Sequence, residues 1–281
     1  MGKFSRVAGA LGRVAAVTGV LTAAVLSAPA AASPSPRSVL VVGDSVVAQA
    51  DAAIRWWAPP ETTAWPAGGP GTAPCDWWDG QANPHSGIDA DFRSLVDRFH
   101  PGAVVLAFSG NPGLSGPLSG CVDANTHYTL ASLLATYRVD LTAMAAYASA
   151  HGARVFLAAV PPRNPVTPPG EYLANHGVPG YGFNGDPAFN VLYQQMAASP
   201  EGVRDGWSYD PAAAAAVSNL SMTWQLDETC MPWDVHNCRL PSATVQVRMG
   251  GHDAIHLDPY GNGAARYGQA IIRRPLEDQL G

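Results

Sequence analysis

The chain has 281 residues, with 16 Lys+Arg against 22 Asp+Glu, a formal charge of −6, 47% hydrophobic residues and only 14% charged ones. That charge content is well under the roughly 25% usual for soluble globular chains, while the apolar share is ordinary; this excludes a charge-rich disordered chain and supplies a core for one good-sized domain. A net negative chain without a Lys/Arg cluster lacks the electrostatic footprint that a phosphate backbone requires, so nucleic acid is not an expected partner.

The first 32 residues are a different material from the rest. Lys3, Arg6 and Arg13 precede an apolar run from Val14 to Leu26, and Ala30, Ala31 and Ala32 offer a small-residue cleavage site before Ser33. That order predicts a secretory signal peptide over residues 1–32 and a secreted, extracellular mature chain. The run is shorter than the roughly 20 apolar residues a span requires and is interrupted by Thr18, Gly19 and Thr22, and no later segment is long and apolar enough to cross a membrane. Residues 33–37 form a Pro/Ser-rich tether, and 38–281 read as a single domain, with a monomer the default because no seam or repeat suggests assembly. All four cysteines, Cys75, Cys121, Cys230 and Cys238, follow the leader. An even count in an exported chain without a C-x-x-C pair favours disulfides over metal thiolates. Of the three possible pairings, Cys75–Cys121 with Cys230–Cys238 is preferred, because the second pair staples a local loop.

Ser38 to Val42 is a short continuous apolar run ending at Gly43, as in a strand buried on both faces. From Ser45 onward Val46, Val47, Ala50, Ala53, Ile54 and Trp57 recur at helical spacing. A weak strand near Glu61 to Trp65 leads into a Gly/Pro-rich loop, and Ser86 is the expected cap of a helix carrying Ile88, Phe92, Leu95, Val96 and Phe99. Ala103 to Phe108 is the strongest strand, followed by a loop from Ser109 to Cys121 and an amphipathic helix from Tyr128 to Ala150 with Gly152 after its end. Val155 to Val160 is a further strand, and Asp186-Pro187 opens a helix over Ala188 to Ala198. The stretch from Gly206 to Pro241 has no clean period beyond a short alanine helix, Ala212 to Ala216. Thr244 to Arg248 alternates like a strand, and Asp258-Pro259 opens a terminal helix through Ile272. Strands alternating with helices of this length predict an α/β fold with a parallel sheet and helices on both faces.

In such a sheet the site forms beyond the carboxyl ends of the strands. The residues leaving the strands are Gly43-Asp44-Ser45, Ser109-Gly110-Asn111 and, near the carboxyl terminus, Asp253-Ala254-Ile255-His256. A serine at a strand-to-helix turn needs a base to become a nucleophile, which His256 could supply, and the imidazole needs a carboxylate to fix its tautomer, which Asp253 could supply. Asn111 could aim an amide donor at an oxyanion. Each piece has a plainer reading. Gly-Asp-Ser is also an ordinary helix start with Ser as cap, Asn111-Pro112 is a turn, and Asp253 with His256 could be a surface pair. A metal reading of His252 and His256 with Asp253 and Asp258 is disfavoured, because the Glu of H-E-x-x-H is absent and Gly250-Gly251 opposes a helix there. No P-loop or G-x-G-x-x-G follows a strand, so no cofactor and no metal is expected. The faces of Trp77 and Trp78 could bind sugars or acyl chains, or could be core and disulfide cover.

V-V-G-D-S-V after the first strand, F-S-G-N after a central strand and D-x-x-H before the last helix resemble the GDSL/SGNH hydrolase superfamily, in a form similar to its secreted actinobacterial members. The resemblance runs from about Val39 to Ile272 in short blocks. It implies a three-layer α/β/α fold with a central parallel, flavodoxin-like sheet. It further implies Ser45 as nucleophile, His256 as base, Asp253 orienting the histidine, and an oxyanion hole of the Ser45 N–H, a glycine N–H and Asn111. The glycine must come from Gly68 to Thr72; Gly71 is chosen and Gly69 is close behind. The usual Gly-x-Asn-Asp reads Ser109-Gly110-Asn111-Pro112 here, so only the asparagine is retained. The implied activity is a serine esterase or lipase acting on carboxylic esters, short-chain acyl or acetyl esters including those on carbohydrate or lipid. An acyltransferase using the same acyl-enzyme and a noncatalytic envelope module binding carbohydrate or lipid through a Trp-lined cleft stay open.

Overall fold

The computed structural model describes residues 37–78, 90–114, 121, 128–164, 183–218, 222, 224, 227–231, 234, 244–249, 255–258 and 262–279. All of them fall within the unit Pro36–Gly281. The expected leader at 1–32, the tether at 33–37 apart from Arg37, which instead starts the first strand, the capping Ser86, His252, Asp253 and Cys238 lie outside the described residues.

The apolar run ending at Gly43 forms β1 (Arg37–Gly43), whose residues Val39 to Val42 are fully buried. It is paired on one side with β2 (Thr62–Gly68) and on the other with β3 (Ala103–Ala107). β4 (Arg154–Ala158) and β5 (Ser208–Asp210) extend the sheet in the order β2-β1-β3-β4-β5, with every pairing parallel. Strands this apolar must be covered on both faces, and alternate side chains divide between two cores. Val39, Val41, Val105 and Phe156 face one core with α1 (Ser45–Trp57), α7 (Ala212–Ala216) and α8 (Asn262–Glu277). Leu40, Val42, Val104, Leu106, Val155 and Leu157 face the other. That core takes Trp77 from α2 (Pro74–Trp78), and it packs against α3 (Phe92–Phe99), α4 (Leu130–Ala150) and α5 (Pro187–Ala197). The α/β architecture is therefore three layers around a central parallel sheet, as expected. The chain leaves β1 for β2 through α1 on one face and reaches β3 through α3 on the other, so the order reverses at β1. That reversal opens a crevice at the carboxyl ends of β1 and β3.

Several boundaries differ from expectation for local reasons. α3 is capped by Asp91, whose carboxylate accepts from the Ser94 N–H at 2.8 Å. α4 starts behind Thr129, which forms a capping box with Ser132. The last helix is described from Asn262, its expected opening at Pro259 lying outside the described residues, and runs past Ile272 to Glu277 with Pro275 inside it. α6 (Pro200–Asp205) and β5 fall where hydrophobic periodicity was weak, and β7 (Thr244–Gln246) pairs antiparallel with β6 (Asp227–Thr229) outside the main sheet. Cys75 and Cys121 are bonded as preferred, across a separation of 46 residues. The second preferred pair includes Cys238 and so is not described.

Arg266 on α8 anchors the segment after β6. Its Nε and Nη2 donate to the two carboxylate oxygens of Asp234 at 3.0 and 2.6 Å, and Nη2 also reaches the Thr229 carbonyl at 2.6 Å. The two side chains are only 6% and 1% exposed. Burial pushes the Asp234 carboxyl up, but Arg266 and the Met231 N–H outweigh it and hold it below its ordinary value. Asp234→Ala strands a buried guanidinium and is expected to cost about 3 kcal/mol. For a chain of this size that is roughly 6–12 °C in Tm. Because the folded-state carboxyl is the more acidic one, this contribution is present above the unfolded value and is lost as pH falls through the folded one. Thermal unfolding from pH 7 into acid checks both points; a Tm within 2 °C of wild type would contradict the anchor.

Candidate active site

Three chain segments meet in the crevice. β1 ends at Gly43, where a Cβ would run into the Ala107 carbonyl oxygen of β3, so glycine permits the close approach of these strand ends. Asp44, rather than Ser45, caps α1: its Oδ1 accepts from the Val46 N–H at 3.0 Å. Ser45 is therefore the first helical residue, and its hydroxyl is spared from capping. That hydroxyl lies 2.9 Å from His256 Nε2. Both residues are half-buried, and the histidine arrives from 211 residues further along the chain. Nε2 can accept the Ser45 proton only if Nδ1 carries the ring proton, the task assigned by sequence to Asp253, which lies outside the described residues.

Asp44 is the residue that sequence reasoning passed over. It is fully buried, and its Oδ2 accepts from the Ser109 N–H at 2.6 Å, the Ser109 hydroxyl at 2.5 Å and Asn111 Nδ2 at 3.0 Å. Burial pushes its carboxyl above the ordinary value even though the bonds from Ser109 and Val46 pull it down. An acidic residue immediately before the serine was a visible signal, but periodicity assigns it only to a turn. Asn111 is held from three directions. Nδ2 bonds Asp44, Oδ1 accepts from Asn184 Nδ2 at 2.8 Å, and the backbone carbonyl accepts from the Tyr137 hydroxyl at 2.7 Å. Tyr193 braces the same strand exit by donating to the Phe108 carbonyl at 2.7 Å. Gly110 stands at φ 106° with Phe189 against it, a backbone that L side chains rarely adopt. The glycine thus precedes the asparagine directly, one residue nearer than in the Gly-x-Asn-Asp block of the proteins the sequence resembles.

Gly69 and Gly71 are distinguished by their bonds. The Gly69 N–H donates to the Gly43 carbonyl at 3.0 Å, and its own carbonyl accepts from the Thr72 N–H and hydroxyl at 3.1 and 2.7 Å. Gly71 stands at the tip of this turn at φ 76°. Among the described residues its N–H, like that of Ser45 at the start of α1, has no hydrogen-bond partner. First-turn helix N–H groups and a turn N–H of this kind are ready hydrogen-bond donors to a developing anion. Trp77 is 1% exposed and donates from Nε1 to the Thr72 hydroxyl at 3.0 Å, so it is core and buttresses the glycine turn. Trp78 packs on Phe92 and Tyr147 beneath the Arg93 guanidinium. Of the two readings given for the pair, Trp77 takes the core one and offers no face to a ligand. The grouping of metal-ligand types found among the described residues, Cys75, Asp76 and Cys121, contains the disulfide. No described helix is long and apolar enough to cross a membrane.

The chain matches no protein-family model and no curated protein sequence. Solved structures similar to it include a GDSL-like lipase from Bacteroides thetaiotaomicron, at 13% identity over 86% of this chain and 89% of that one with a TM-score of 0.46. A candidate acylhydrolase from Bacteroides fragilis gives 12%, 88%, 90% and 0.48, and a candidate arylesterase from Agrobacterium tumefaciens gives 17%, 87%, 100% and 0.45. At these identities and scores the likeness assigns neither chemistry nor substrate to this chain.

Proposed function

We propose that the protein is an exported serine hydrolase of carboxylic esters, similar to GDSL/SGNH enzymes of the secreted actinobacterial type. The observation that carries this reading is the 2.9 Å contact between Ser45 Oγ and His256 Nε2 in the crevice of a parallel sheet. Nucleophile and base stand within hydrogen-bond reach there, beside backbone donors at a helix start.

In this mechanism His256 Nε2 takes the Ser45 proton as Oγ attacks the ester carbonyl, and Asp253 holds the imidazolium through Nδ1. The carbonyl oxygen becomes an oxyanion received by the Ser45 N–H, the Gly71 N–H and the second hydrogen of Asn111 Nδ2. The engagement of the Gly69 N–H with Gly43 favours Gly71 for this task. Collapse expels the alcohol, which leaves with the proton from His256. Water, deprotonated by the same nitrogen, then cleaves the acyl-enzyme and releases the acid with Ser45 restored. Substrates are short-chain acyl or acetyl esters of small molecules, carbohydrate or lipid. Cleavage of a leader over residues 1–32 and release as a monomer complete the proposal, and the Cys75–Cys121 disulfide is compatible with an oxidising compartment.

A panel of 4-nitrophenyl esters from acetate to laurate tests the reading. Turnover of the acetate that declines with chain length is expected; hydrolysis of none of the panel would contradict it. Adding an acceptor alcohol separates hydrolysis from acyl transfer, since a transferase diverts most of the acyl group to the alcohol.

A further inference from the structure

Gln49 lies one helical turn after Ser45 on α1, so the two side chains share a face of one rigid element. Its Oε1 accepts from the Leu257 N–H at 3.0 Å, and its Nε2 lies 3.8 Å from Met249 Sδ. Both partners belong to the short antiparallel bridge that carries His256. Arg248 and Leu257 form that bridge, with the Met249 N–H donating to the His256 carbonyl at 3.0 Å and the Asp258 N–H to the Val247 carbonyl at 3.2 Å. In such a pair the flanking residues make the ladder bonds, so the Leu257 N–H points away from the partner strand and must find an acceptor elsewhere. Gln49 supplies it.

The side chains on either side of the histidine, Ile255 and Leu257, are 1% and 0% exposed and belong to the core beneath α1 and α8. Alternation along an extended segment then turns His256 the other way, toward Ser45. Burial of the two aliphatic neighbours fixes which way the imidazole faces. It does not by itself fix the height of the segment above α1, which a single hydrogen bond to a helix side chain does.

We propose that Gln49 is a positioning residue that sets the Ser45–His256 distance by clamping the backbone after the histidine to the helix that starts with the nucleophile. This rests on the reading of Ser45 and His256 as nucleophile and base. A misplacement of the base by about 1 Å can cost on the order of 100-fold in rate, so loss of the clamp is felt in turnover rather than in substrate binding.

The test compares wild type with Gln49→Leu, which keeps the volume and loses both contacts, and Gln49→Glu, which keeps an acceptor for Leu257. The readouts are kcat and KM on 4-nitrophenyl acetate, hydrogen exchange of the Leu257 amide, and Tm. Gln49→Leu is expected to lower kcat by roughly 10- to 100-fold with KM within about threefold, and to speed Leu257 exchange at least tenfold. Gln49→Glu is expected to restore slow exchange and most of kcat. Unchanged Leu257 exchange in folded Gln49→Leu, or lost protection with kcat within twofold of wild type, overturns the proposal. A uniform loss of Tm and activity in both variants does so too, since it marks a merely structural role. Wild type without turnover or an activated Ser45 removes the esterase reading instead, and Leu257 exchange then judges the clamp alone.

Discussion

Ser45→Ala and His256→Ala are each expected to lower kcat/KM on an activated ester by on the order of 10⁴-fold or more, with the double variant no worse than either single one. The reasoning is geometric. The hydroxyl is a weak nucleophile at its free pKa, and the 2.9 Å contact gives its proton a destination as the carbon–oxygen bond forms. Removing either partner abolishes the same step, so the losses do not add. Because Asp44 and not Ser45 caps α1, Ser45→Ala leaves the helix start intact and should change Tm by no more than about 2 °C. A fall in activity that tracked a fall in Tm would contradict the assignment. So would losses that multiplied in the double variant.

Asn111→Ala is expected to lower kcat by roughly 100- to 1000-fold, the usual cost of one oxyanion donor. Its amide is oriented before substrate arrives. Asp44 demands a donor and so fixes which end of the amide is Nδ2, while Asn184 fixes the other end. Nδ2 spends one hydrogen on Asp44 and, among the described residues, retains the second. Asn111→Asp is the sharper variant, because it brings a second carboxyl to within hydrogen-bond distance of the buried Asp44 carboxyl in place of a donor. It should lose at least as much kcat as Asn111→Ala and also unfold at lower temperature, by like-charge repulsion or forced protonation. Steady-state kinetics with thermal unfolding on both variants decides; kcat within fivefold of wild type in Asn111→Ala would remove the residue from the oxyanion hole.

The parallel sheet and its buried strands were legible because β1 and β3 are continuous apolar runs and α1 and α4 carry long stripes at helical spacing. Ser45 and Asn111 drew attention in the sequence because they follow the ends of β1 and β3, and His256 because it closes a D-x-x-H block ahead of the last helix. What escaped the sequence was what depends on contact rather than period. β5 is three residues long and sits on the sheet edge beside β4, with no run of its own to announce it. α2 is a single turn whose Trp77 is buried by the glycine loop. Asp44 as cap and hub, Tyr137 and Tyr193 as braces, and Gln49 as clamp are polar groups whose partners lie 26 to 208 residues away or emerge from a single turn. Nothing in local sequence distinguishes them from a turn acid, two core aromatics and a surface amide. The preference proposed for Gly71 over Gly69 likewise rests on one backbone hydrogen bond, from Gly69 to Gly43.

The most direct test of the account is reaction of the folded protein with a fluorophosphonate probe, followed by mapping of the modified peptide, with Ser45→Ala as control. Stoichiometric adduct on Ser45, abolished in Ser45→Ala and strongly slowed in His256→Ala, is the predicted result. Folded protein that takes up no label, or takes it at another residue with equal efficiency in Ser45→Ala, would contradict the claim that Ser45 is an activated nucleophile.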